Sequence, residues 1–148
     1  MIFEIAPVLD EKDCHRCFEV MRELRPHLTG ATAFTTQVLR QISDGYQLYA
    51  AWRAEGVCAL LGFRVCENLM NGRFLFVDDL VVHSEHRVSG IGTQLLGFAR
   101  SRAIEQDCRQ LVLDTGLGMP LAQRFYFRLG MLTRSIGFYE DLTGALTP

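Results

Sequence analysis

Two adjacent carboxylates stand inside an apolar run, Phe74-Leu75-Phe76-Val77-Asp78-Asp79-Leu80-Val81-Val82, where a buried strand does not call for charge. A carboxylate so placed can orient an amine or accept its proton. Shortly after the run, Arg87-Val88-Ser89-Gly90-Ile91-Gly92 forms a glycine-bearing turn that opens an amphipathic helix at about Ile91. A helix start carries unpaired N–H groups and the positive end of the helix dipole, so it attracts an anion. Glycines at 90 and 92 remove side chains that would keep a phosphate away from those groups. The pattern predicts a phosphate-bearing cofactor held beside a pair of carboxylates.

Other glycine motifs do not fit the spacing. A P-loop ends in Gly-Lys-Ser/Thr, whereas Gly92 is followed by Thr93-Gln94. A dinucleotide fingerprint needs a third glycine and follows the first strand of its fold; here position 95 is leucine and the turn lies past mid-chain.

The elements that must position these residues come from a chain of 148 residues, the length of one domain with a substantial core. Hydrophobic residues make up 49% and charged residues 22%, which excludes a disordered chain. A net charge of −2 argues against a nucleic-acid surface or a polybasic membrane anchor. The odd number of cysteines, at 14, 17, 58, 66 and 108, fits reduced thiols better than a disulfide framework. The first residues lack the pattern of a signal peptide, and no apolar stretch approaches the roughly 18 residues of a membrane span. The expected location is the cytoplasm.

Residues 2–8 read as a first strand. Cys14, Cys17, Phe18, Met21, Leu24 and Leu28 recur in steps of three and four, so 11–28 reads as a helix that Pro26 ends or kinks near Arg25. Thr32 is the expected cap of a second helix through about Ser43. Residues 46–53 and 57–66 form a hairpin turned at Ala54-Glu55-Gly56, and Asn71-Gly72 turns into the 74–82 strand. A long helix covers 91–106 and a short buried strand 111–113. A helix opens at Pro120 and stops before Gly130. A last strand or strand pair is expected over 131–142, turned near residues 135–137. The order β-α-α-β-β-β-α-β-α-β implies an α/β (α+β) domain, a mixed, mostly antiparallel sheet with helices on its faces. Cys14-His15-Arg16-Cys17 has metal-like spacing, but both cysteines lie on the apolar stripe, so they read as core and no metal is expected. His83 and His86 flank the glycine turn and read as surface histidines.

Arg-x-x-Gly-x-Gly after a central strand resembles the acetyl-CoA-binding motif of the GNAT superfamily of N-acetyltransferases. Asp79-Leu80-Val81-Val82 followed by Arg87 matches that family's strand and loop in register, and Phe125-Tyr126-Phe127-Arg128-Leu129-Gly130-Met131 resembles its Phe-Tyr-x-x-Leu-Gly-Phe signature. The order of elements agrees from about residue 2 to 142. Two positions depart from the family: Phe76 stands where certain members place a catalytic glutamate, and Met131 replaces the closing aromatic.

The resemblance implies an acetyl-CoA-dependent N-acetyltransferase in which a primary amine attacks the thioester directly in a ternary complex. Leu80, Val81 and Val82 would offer a strand edge to the pantetheine arm, with an N–H near Val81 or Val82 as oxyanion donor. Val88, Ser89, Gly90, Ile91, Gly92 and Thr93 would hold the diphosphate, Arg87 would add charge, and Thr115 would touch the cofactor. Tyr126 matches the tyrosine that protonates the departing thiolate, and Asp78 the acidic residue facing the acceptor. Asp79 is the rival proton acceptor, or a structural hydrogen-bonder. Strand alternation puts Asp78 on the face of Phe76 and Leu80, with Asp79 on the other. The acceptor, a small amine or a peptide amine, is expected between the first two helices and the last strands, walled by residues 24–28, Phe34 and 135–138. Family members often dimerise through exposed strands, which leaves a homodimer open. A non-catalytic acyl-CoA sensor is the alternative reading of the same cofactor motif.

Overall fold

A computed structural model describes residues 2–87 and 89–144. The chain divides into two compact units, one up to Asp114 and one from Thr115.

The first unit begins with strand β1 (Glu4–Pro7) and helix α1 (Glu11–Leu24). Asp10 caps α1 by accepting the Asp13 N–H at 2.8 Å, and Cys14, Cys17, Phe18 and Met21 are buried at the helical spacing read from the sequence. Pro26 lies just past its end, because the residue before a proline is pushed out of helical geometry. Helix α2 (Ala31–Ser43) starts one residue before the expected cap: Gly30 is the N-cap, and no side chain, Thr32 included, bonds its end. Strands β2 (Gln47–Arg53), β3 (Gly56–Asn68) and β4 (Gly72–Val82) form an antiparallel meander. Helix α3 (Ile91–Glu105) then crosses over to strand β5 (Gln110–Leu113), which runs parallel to β4, as such a crossover allows. The sheet order is β1-β2-β3-β4-β5.

Each face of the sheet has its own packing. On one, Phe18 and Phe34 meet at 5.7 Å in a cluster with Cys14, Cys17, Val38, Leu48, Leu60 and Val81. On the other, Tyr49 stacks on Phe63 and meets Phe98 of α3 at 4.8 Å, while Leu95, Leu96 and Ala99 are fully buried. Each fully buried leucine contributes roughly 1.5–3 kcal/mol. Cys14 and Cys17 are wholly inside, where burial pushes the Cys17 thiol up to about 12.

The second unit holds helix α4 (Pro120–Arg128), with Pro120 at its start and Gly130 at φ +85° past its end. The strand or strand pair expected over 131–142 is absent: those residues have no regular structure. A strand is stabilised through its ladder, and among the described residues none after Leu113 enters the sheet. Thr133-Arg134-Ser135 and Gly137 also interrupt the apolar alternation.

Candidate active site

The parallel pairing of β5 covers only residues 74–77 of β4. From Asp79 to Val82, β4 keeps its antiparallel neighbour β3 but has no β5 partner among the described residues. The His83 N–H donates to Cys58 O at 2.8 Å, which makes His83 and Cys58 a hydrogen-bonded pair. Such pairs alternate along an antiparallel ladder. Val81 therefore turns its main chain toward Leu60 of β3, while Leu80 and Val82 direct theirs to the opposite, open side. Arg87 Nε reaches Val82 O at 3.4 Å, in keeping with a carbonyl that β3 does not use. Of the edge residues expected from sequence, Leu80 and Val82 supply the edge. Val81 instead is a core residue whose side chain packs in the α1 face.

The pairing stops at a bulge. Gly62 opposes Asp79 and Phe63 opposes Val77, so Asp78 is an extra residue on β4. This corrects the alternation read from sequence. Asp78 keeps the face of Phe76, but the bulge puts Asp79 on that face too and moves Leu80 to the other. The contacts agree. Arg64, which sits over the Phe76 ring, grips Asp78 bidentately: Nε donates to Oδ2 at 2.9 Å and Nη2 to Oδ1 at 2.8 Å. Asp79 accepts from Arg25 Nε at 3.1 Å and from the Tyr46 hydroxyl at 2.7 Å. Arg25 Nη2 also donates to the Asp78 carbonyl at 2.7 Å. Burial and the Asp79 carboxylate hold the Tyr46 phenol well above its ordinary value, so it stays a donor. The two aspartates are therefore partnered, not loosely solvated.

Beyond Val82, a single 3-10 turn (Ser84–His86) leads to the glycine turn. His83 accepts the Glu85 N–H at 3.1 Å, and His86 Nδ1 lies 3.1 Å from Arg53 Nη1, so both histidines shape the approach. Gly90 is the N-cap of α3 at φ +83°, a left-handed conformation that favours glycine. Among the described residues no side chain caps α3, and no acidic residue lies in its first turn. The first intrahelical bond runs from Gln94 N–H to Gly90 O, which leaves the N–H groups of Ile91, Gly92 and Thr93 at the uncapped end. Ser89 donates its hydroxyl to His86 O, bracing the turn. Val88 lies outside the described residues. Arg87, largely exposed, touches Glu23 Oε1 at 3.4 Å, and the same carboxylate accepts the Ser84 N–H at 3.1 Å.

In the second unit, Gln123 Nε2 donates to the carbonyls of Gly116 and Leu117, closing the turn after Thr115 onto α4. Tyr126 meets Phe125 edge-on at 5.2 Å, and burial raises its phenol above the ordinary value, so it is protonated at neutral pH. Thr115 and Tyr126 thus belong to this unit, while Asp78, Leu80, Val82, Arg87 and residues 89–93 belong to the first.

Sequence reasoning placed Arg25 only within the expected acceptor wall and missed Tyr46, Gly62 and Arg64. One signal was present, a glycine inside a strand, which marks close approach of another group. A Cβ at 62 would land on the Tyr46 hydroxyl.

An open strand edge running into an uncapped, glycine-turned helix start is a seat for an extended chain that ends in phosphates. Solved structures share this fold at low identity. A ribosomal-protein-alanine N-acetyltransferase from Brucella melitensis biovar Abortus 2308 aligns over 95% of this chain and 99% of its own, at 17% identity and a TM-score of 0.81. Glucosamine-6-phosphate N-acetyltransferase from Arabidopsis thaliana covers 96% of this chain and 99% of its own, at 19% identity and a TM-score of 0.75. The aminoglycoside N-acetyltransferase AAC(6')-Iy, in complex with CoA, covers 95% of both chains at 16% identity and a TM-score of 0.78. No curated protein matches by sequence. Residues 14–131 match the Acetyltransferase (GNAT) family, and with four-fifths of its length inside that match the chain belongs to this family.

Proposed function

We propose that the protein moves an acetyl group from acetyl-CoA to a primary amine by direct attack in a ternary complex. The observation that carries this reading is the unpaired stretch of β4 after Asp78, continuous with the uncapped start of α3. The diphosphate binds the N–H groups of residues 89–93, and Arg87 leaves Glu23 to add its charge. The pantetheine arm pairs along Val82 and Leu80 as an added strand.

The thioester then ends at the bulge, with its carbonyl oxygen on the Leu80 N–H in place of the donor expected near Val81 or Val82, because the Val81 N–H faces β3 and Val82 lies farther from the bulge. The amine lone pair attacks the carbonyl carbon, and negative charge collects on that oxygen. The C–S bond breaks, Tyr126 protonates the thiolate, and the amine gives its proton to Asp78, directly or through water. Each carboxylate oxygen of Asp78 uses one position on Arg64, leaving others to receive the amine. The phenol of Tyr126 regains its proton from solvent.

The acceptor is a small amine or a peptide amine. The structural neighbours are named for three different ones, so the shared fold does not choose among them. A net charge of −2 supports an acceptor other than nucleic acid. No helix among the described residues is long and apolar enough to cross a membrane. We place the enzyme in the cytoplasm, and a homodimer through an exposed strand is compatible with it.

Purified protein with acetyl-CoA and a panel of amines should release free thiol. Tyr126→Phe should lower kcat by about 10- to 100-fold with CoA affinity unchanged. An unchanged rate would remove Tyr126 from the chemistry. Tight CoA binding with no thiol released from any amine would make the domain an acyl-CoA sensor.

A further inference from the structure

We propose that Arg25, outside the donor site, is a positioning residue for the acyl end of the donor. It holds the β4 bulge, and with it the Leu80 edge, from the end of α1. The inference rests on the acetyl-transfer reading above, since it is the thioester that Leu80 is taken to receive.

A bulge leaves its extra residue without a regular place in the ladder, and the freed backbone groups need partners. Arg25 Nη2 provides one, at 2.7 Å from the Asp78 carbonyl. The same guanidinium is fixed by Asp79, with Nε at 3.1 Å and Nη2 at 3.0 Å from Oδ1. Asp79 is held in turn by the Tyr46 hydroxyl on its other oxygen. Its side chain is only 14% exposed. Gly62 leaves room for that phenol across β3. The backbone of Arg25 is set as well: its N–H donates to Met21 O at 2.8 Å, and Pro26 restricts it from the other side.

Arg25 thus acts through the strand. It fixes Asp78, two residues before Leu80, and it lies within the segment 24–28 expected to border the acceptor. One guanidinium therefore ties the acceptor wall to the acyl subsite. Lysine cannot reproduce this, because an ammonium lacks the planar fork that meets a carboxylate and a carbonyl together.

The test is carbon NMR of acetyl-CoA labelled at the carbonyl, bound to wild type, Arg25→Lys, Arg25→Met and Asp79→Asn. It is run beside calorimetry of CoA and steady-state rates with any acceptor found. The wild-type carbonyl signal should move downfield on binding, as a hydrogen-bonded carbonyl does. It should return toward the free position in both Arg25 variants and part-way in Asp79→Asn. CoA affinity, set by the glycine turn, should stay within about twofold, and kcat should fall about 30- to 100-fold with KM for acetyl-CoA little changed. A wild-type signal in folded variants overturns the proposal, and so does CoA affinity falling in step with kcat. A wild-type carbonyl that binding does not move overturns it as well. If Arg25→Met does not fold, Arg25→Lys and Asp79→Asn decide. A wild type that shifts the carbonyl yet releases no thiol refutes the transfer reading and leaves Arg25 judged by the shift alone.

Discussion

β4 is one strand with two fates. Over residues 74–77 it lies between β3 and β5, its backbone satisfied on both sides and Phe74, Leu75 and Val77 buried. Over residues 78–82 its composition is similar apart from the two aspartates, yet among the described residues only β3 pairs with it, and only from Asp79 on. The first half is structure that any buried strand could supply. The second leaves main-chain donors and acceptors on one side without a ladder, and unpaired strand edges recruit an added chain. The proposed donor edge begins where the ladder stops, and the bulge at Asp78 marks the stop.

The sharpest way to break this contrast is a proline scan. Proline removes one N–H, and a strand tolerates it where that N–H faces away from the ladder. Leu80→Pro removes an open-side donor and spares the bond network to β3. It should fold, bind CoA within about tenfold of wild type, and lose about 10²- to 10³-fold in kcat. Val81→Pro removes a donor aimed at β3 and leaves the Leu60 carbonyl unmatched, which should cost about 1–3 kcal/mol of stability. Thermal unfolding by circular dichroism with thiol-release rates separates them. If Val81→Pro keeps its stability while Leu80→Pro unfolds, the assignment of the two sides is reversed.

Gly90 tests the other end of the same edge. Its φ of +83° disfavours any residue with a Cβ, although a Cβ there would meet open space. Gly90→Val should therefore distort the turn by conformation alone, at roughly 1–2 kcal/mol, and weaken CoA binding about tenfold. Calorimetry with CoA and with a fragment lacking the diphosphate should show the loss confined to CoA. Equal losses for both ligands would place the damage at the pantetheine edge instead.

Much of this was readable beforehand because it is local. The step of three and four in Cys14, Cys17, Phe18 and Met21, the stop at Pro26, and the turn at Gly90 each depend on neighbours a few residues apart. The mixed sheet with helices on its faces followed from the order of the elements, and the GNAT family from the resemblance of the Arg87–Gly92 and Phe125–Met131 motifs. The bulge was not readable: nothing in Val77-Asp78-Asp79-Leu80 marks which residue is extra, and strict alternation put Leu80 on the wrong face. The partners of the aspartates were hidden too, since Arg25 and Tyr46 meet Asp79 across 54 and 33 positions of chain. Residues 131–142 have strand-like composition in part, but a strand needs a ladder as well as composition. The Thr32 cap failed for a smaller reason, because Gly30 reaches extended geometry two residues earlier.

Tyr46 gives the smallest effect and the cleanest sign. In the unfolded chain its phenol ionises near 10, and in the fold well above that, chiefly because burial and then the Asp79 carboxylate oppose a phenolate. Below about pH 9 both states hold the proton, and this group adds no slope to stability. Above about pH 10 the unfolded chain has released it while the folded chain keeps it, so stability falls as pH rises, by at most about 1.4 kcal/mol per pH unit. Tyr46→Phe removes that dependence. The variant should be about 1–2 kcal/mol less stable at neutral pH, having lost the bond to Asp79. It should then decline less steeply than wild type between about pH 10 and 11.5. Urea unfolding across that range reads both. Parallel curves would mean that the phenol meets water in the folded state, and that the support under the open half of β4 lies elsewhere.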